Sequence, residues 1–123
     1  MANFKSRSSF KLNRALSLVG GFNAESLTGD KTLTLKDSIA QALDPGGGNK
    51  SVILPSGGTS GRFYVIANKA DAAEELIICQ PNGVAEVGRA GQNDVAIVYA
   101  TDDIATAAAS GWTLFFMVSG AIT

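Results

Sequence analysis

The sequence predicts an all-β protein: a compact antiparallel β-sandwich or jelly-roll-like module over residues 22–123, behind an extended basic N-terminal arm over residues 1–21. Three observations predict it. Short apolar runs recur along the chain, each closed by Gly, Pro, Asn or Asp, at the spacing of strands in a sandwich or barrel. Within those runs polar and apolar residues alternate, the period of a strand buried on one face. Charge is also divided along the chain. Residues 1–14 hold Lys5, Arg7, Lys11 and Arg14 and no acid, so of the ten cations six remain in the body against all eleven acids: a +4 arm before a −5 body.

The elements follow in order. In the arm, the spacing of Phe10, Leu12, Leu16 and Val19 allows one turn of helix, but Ser6, Ser8 and Ser9 weaken it, and an extended segment is expected up to the break at Gly20-Gly21. Lys31-Thr32-Leu33-Thr34-Leu35 alternates as a strand, and Asp37-Ser38 is a turn signal. Residues 39–43 suit either one helical turn or a strand, ending at Asp44-Pro45-Gly46-Gly47-Gly48. Strands are then expected over 51–54, over 62–67 with Phe63, Val65 and Ala67 on one face and Tyr64 and Ile66 on the other, and over 75–79. Gly57-Gly58-Thr59-Ser60-Gly61 reads as a flexible hairpin connection. Asn82-Gly83 is a strong hairpin signal, with a short return strand over 84–87. Residues 94–100 and 112–119 complete the set, separated by 102–110, a loop or a short Ala-rich helix.

Composition excludes much chemistry. At 123 residues and 46% apolar content, the chain suits one domain with its own core. Its longest near-continuous apolar stretch, residues 112–118, is far below the roughly 18 residues of a membrane-span candidate. Cations precede the run 15–19 as in a signal peptide, but that run is short and meets Gly-Gly, so a mature arm is expected. With no histidine, the Ser-His and Cys-His pairs and histidine-ligated zinc are unavailable. Cys79, the single cysteine, leaves no internal disulfide and reads as a small buried apolar residue. Glu74-Glu75 and Asp102-Asp103 read as solvated loop charges. The glycine loop 57–61 lacks the Gly-Lys-Ser/Thr end of a phosphate-binding loop. No cofactor, no metal and no enzymatic activity are expected.

Two segments point to partners. The arm's Phe4 and Phe10 suit anchors in a protein groove, with Lys5, Arg7, Lys11 and Arg14 answering an acidic rim. Stacking on nucleic acid and a solvated or swapped tail are the other uses of such an arm. The sparse cations and a pI near 5.2 disfavour nucleic acid. The last strand is apolar on both faces, Trp112, Leu114, Phe116 and Val118 on one, Phe115 and Met117 on the other. It is either a central core strand or a strand whose second face, through Phe115 and Met117, meets another subunit.

Several motifs bear a family resemblance: Thr32-Leu33-Thr34-Leu35, Asp44-Pro45-Gly46-Gly47, Ser51-Val52-Ile53-Leu54-Pro55, Gly61-Arg62-Phe63-Tyr64-Val65-Ile66-Ala67-Asn68, Glu75-Leu76-Ile77-Ile78 and Gly111-Trp112-Thr113-Leu114-Phe115. In this order they resemble the small β-modules of tailed-bacteriophage structural proteins, over about two thirds of the chain. One compact module with an arm is similar to the capsid decoration, or cement, proteins. That resemblance implies a structural virion protein on the outer surface of the capsid, a homo-oligomer with a trimer favoured. Its partner would be the major capsid protein, whose subunits it bridges through the arm, with neither nucleic acid nor membrane involved. A head-fibre, tail-adaptor or fibre-base module is the nearest alternative. A carbohydrate- or host-surface-binding module, with Tyr64, Tyr99 or Trp112 as stacking platforms, is another.

Overall fold

The computed structural model describes residues 21–119. Among them are nine strands and no helix: β1 (Phe22–Ser26), β2 (Lys31–Thr32), β3 (Ala40–Asp44), β4 (Lys50–Ile53), β5 (Phe63–Asn68), β6 (Leu76–Cys79), β7 (Glu86–Ala90), β8 (Val95–Ala100) and β9 (Trp112–Val118). They form a five-stranded sheet in the order β1-β3-β5-β8-β9 and a four-stranded sheet in the order β2-β4-β6-β7.

From β1 to β6 the chain changes sheet at every step, and each return lays a new strand parallel to the previous one in that sheet. Parallel neighbours need a crossover connection, most often a helix. Here the crossover from one sheet is a strand of the other, so the first six strands wind as a coil. The winding then stops: β7 folds back antiparallel on β6, β8 returns antiparallel to β5, and β9 to β8. The all-β expectation holds. The antiparallel, jelly-roll-like pairing is corrected, because four of the seven strand pairings among the described residues are parallel.

Local differences have local causes. Residues 39–43 resolve to strand β3, in which Gln41 and Leu43 are buried two positions apart, a strand period. The return strand β7 begins later than expected, because Asn82 Oδ1 accepts hydrogen bonds from the N–H groups of Val84 and Ala85 and holds them in the turn. Residues 102–110 hold no helix; Ile104 instead plugs the core, and its N–H donates to Thr59 Oγ1 at 2.8 Å. The glycine loop 57–61 joins the two sheets rather than the strands of a hairpin. It is anchored by Thr59, fully buried, whose hydroxyl also donates to the Asp102 carbonyl at 2.7 Å.

One core lies between the sheets. Leu43, Tyr64, Ile66, Ala96, Val98 and Trp112 supply it from the five-stranded sheet, and Val52, Leu76, Ile78 and Ala90 from the other. Each fully buried Leu, Ile or Val contributes about 1.5–3 kcal/mol of transfer free energy. Polar side chains inside it are satisfied. Asn68 donates to the carbonyls of Glu74 and Ala90 and accepts from the Ala70 N–H. Gln80 pairs with the backbone of Trp112 in both directions, donating to its carbonyl at 2.8 Å and accepting from its N–H at 3.0 Å. That pair ties the start of β9 to the end of β6. Gly111 makes the entry to β9 possible: its φ is +116°, and a Cβ there would lie 2.5 Å from Ile104 Cγ1.

Candidate functional site

The other face of the five-stranded sheet turns away from this core. Register aligns side chains in rows across all five strands: Phe22, Ala40, Val65, Ile97 and Phe116 form one row, and Ala24, Ala42, Ala67, Val95 and Val118 the next. Phe63, Tyr99 and Thr113 make a shorter third row. No charged side chain stands in these rows; Glu25, Asp44 and Lys69 line the hollow at the β1–β3 margin. The strand alternation that sends Tyr64 and Ile66 inward is what sends Phe63 and Val65 outward.

A β-bulge enlarges the face. Ile97 pairs with Phe116 and Val98 with Leu114, leaving Phe115 as the extra residue. Strict alternation would place Phe115 and Met117 together. The bulge instead puts Phe115 and Phe116 both outside, while Met117, opposite buried Ala96, packs against the core. Phe115 is 72% exposed and closes, with Phe63, Ile97 and Tyr99, an apolar hollow of about 350 Å³. Taking about 200 Å² for a fully exposed aromatic side chain, Phe22, Phe63, Tyr99, Phe115 and Phe116 together leave roughly 500 Å² accessible. With the aliphatic side chains between them the face exceeds the largest patch usual on a monomer, about 300–600 Å².

The other expected sites fall as follows. Phe4, Lys5, Arg7, Phe10, Lys11 and Arg14 lie outside the described residues. Trp112 and Tyr64, each 3% exposed, are core residues with ring centroids 5.7 Å apart, so neither is a stacking platform for a sugar; Tyr99 stays on the outer face. Trp112 Nε1 donates to the Pro55 carbonyl, and the Tyr64 hydroxyl to the Thr34 carbonyl at 2.8 Å. Burial, aided by the nearby Asp37 carboxylate and opposed by Arg62, pushes the Tyr64 phenol up to about 12. Cys79 is buried, and burial pushes its thiol up, away from the thiolate a nucleophile needs.

The carboxylates are mostly structural. Asp103 Oδ1 accepts from the Ser60 N–H, and Glu75 accepts from Arg89, which also pairs with Glu86. The Arg89 hydrogen bond holds the Glu86 carboxyl below its ordinary range. Glu74 departs from the solvated-loop expectation. It is half-buried, its Oε1 lacks a hydrogen-bond partner, and with Asp44 and Asp71 it forms a group whose carboxylate oxygens lie within 4.8 Å of one another. Acidic groups at a protein surface commonly gather in this way without a bound ion. The crossover brings these three together across 30 residues of chain in which no motif linked them.

No protein-family model and no curated protein matches the chain.

Proposed function

We propose that this chain is a structural assembly subunit without enzymatic activity, and specifically a tailed-phage capsid decoration protein. It sits on the outer surface of the virion, binds the major capsid protein and stabilises the shell by bridging coat subunits through its basic arm. It acts as a homo-oligomer, a trimer being favoured. The observation that carries the reading is the uncharged outer face of the five-stranded sheet, which exposes Phe22, Phe115 and Phe116 by more than half. A surface of that size and composition works by being covered with protein. The phage-like strand motifs and the +4 arm before an acidic body supply the rest. Several arms on one oligomer raise capsid affinity through effective concentration, with no new contact.

The carbohydrate-binding alternative keeps only Tyr99 of its three platforms. Its neighbours Phe63, Ile97 and Phe115 offer a sugar no hydrogen-bonding side chain. The head-fibre, tail-adaptor or fibre-base alternative predicts few copies, at one vertex or on the tail. The test is capsid binding by a variant lacking residues 1–19. It should retain the cooperative unfolding of the full chain and no longer decorate shells. Full occupancy by the truncated protein would overturn arm docking. A count of copies per virion separates lattice decoration from a vertex or tail role.

A further inference from the structure

We infer that the outer face of the five-stranded sheet is the contact between copies of this chain, so that Phe115 and Phe22 seat on a second copy and not on the capsid. Three occupants compete for the face: the arm of the same chain, a different protein, and a second copy.

The arm does not fit. Its longest stretch free of cations before Gly20 is residues 15–19. Even fully extended that stretch spans only about 17 Å and the width of one strand, whereas five strands are roughly 24 Å across. Covering more of the face would lay Lys11 and Arg14 on rows that hold no carboxylate, with Glu25 and Asp44 only at the β1–β3 margin to answer them.

A different protein would leave the free subunit with the face bare until the two meet. A second copy covers it from the start. The five rings alone leave roughly 500 Å² accessible, and Val118 and the half-buried aliphatics between them carry the face towards the ~800 Å² per partner of a standard stable interface. An uncharged surface also imposes no electrostatic penalty on self-contact. Complementary charge, by contrast, is what a contact between two different proteins ordinarily uses to select its partner. The bulge at Phe115 serves such a contact, since it raises one ring above the sheet beside the hollow lined by Phe63, Ile97 and Tyr99.

The contact deepens the oligomer reading above, and it does not depend on whether the final partner is a capsid. The experiment is sedimentation equilibrium of the full chain in the absence of any capsid, at micromolar concentration. The wild type should have a mass that is a multiple of 12.6 kDa. A Phe22→Glu/Phe115→Glu variant, altered at two side chains exposed by 62% and 72%, should be a folded monomer. Val84→Glu, at a 78%-exposed position in the turn before β7, should assemble as the wild type does. Phe115→Ala introduces no charge and should raise the dissociation constant at least tenfold, so the test survives a double variant that fails to fold. A monomeric wild type, or a folded double variant that keeps the wild-type mass, overturns the contact. A dimer in place of a trimer keeps the contact and corrects the stoichiometry.

Discussion

On its outer side the four-stranded sheet carries Ser51, Ile77 and Arg89 in one row, with Arg89 held between Glu75 and Glu86 at 3.1 and 2.7 Å. On its own outer side the five-stranded sheet runs from Phe22 to Phe116 and from Ala24 to Val118 without a charge. The two sheets share one core and differ in what they show to the outside. A sheet that faces water on one side normally alternates apolar and polar residues. The four-stranded sheet approaches that rule and the five-stranded sheet does not. One face of the five-stranded sheet is covered by its own fold; the other is left bare on a single subunit, and the proposed contact with another chain would cover it.

Substitutions on the two faces of the five-stranded sheet should separate folding from assembly. The largest effect belongs to the inner face: Leu43→Ala, at a fully buried position, should cost about 3 kcal/mol of unfolding free energy in urea titrations. Phe115→Ala on the outer face should change the stability of the isolated monomer by less than about 0.5 kcal/mol while weakening assembly. An equal loss at both positions would mean that Phe115 belongs to the fold. Next comes Gln80→Ala, which strips both partners from the buried Trp112 backbone and should cost roughly 2–3 kcal/mol. Thermal unfolding should show β9, and with it the outer face, as the first region to loosen.

Tyr64→Phe should cost about 1 kcal/mol, the net worth of a buried hydrogen bond. It also carries a pH signature. The folded phenol titrates near 12, above its ordinary 10, so folding favours the protonated form. The stability from that preference is complete below pH 10 and is lost as pH rises towards 12. The phenylalanine variant should lack this component of the alkaline decline in denaturation midpoint. The smallest effect should come from Arg89→Gln. Both of its ion pairs are exposed, and no change in midpoint is expected at physiological salt.

Much of this was legible in the sequence, and the gaps have physical reasons. The split of β5 into an inner face of Tyr64 and Ile66 and an outer face of Phe63, Val65 and Ala67 follows from alternation alone. The Asn82-Gly83 turn fixes the β6–β7 hairpin, with Gly83 at φ +74°. The strand β1 was missed because Phe-Asn-Ala-Glu-Ser has little strand propensity, and its order comes from pairing with β3. The direction of pairing was hidden for a more general reason. Alternation reports which side chains face inward and is the same for parallel and antiparallel partners. The fate of Met117 was hidden by the bulge, since one inserted residue reverses every side chain beyond it. The arm's six expected contact residues lie outside the described residues, and capsid binding by the truncated chain is their test.

On the contact proposed above, the outer face of the five-stranded sheet is covered in the protein as it exists in solution. Hydroxyl-radical footprinting of Tyr99 and Phe63 reads that coverage at the side chains themselves, comparing the full chain with the Phe22→Glu/Phe115→Glu variant under the same conditions. These two side chains are 40% and 42% exposed on a single subunit. Both should be labelled at least fivefold more weakly in the wild type than in the folded variant. Equal labelling in the two proteins would contradict it.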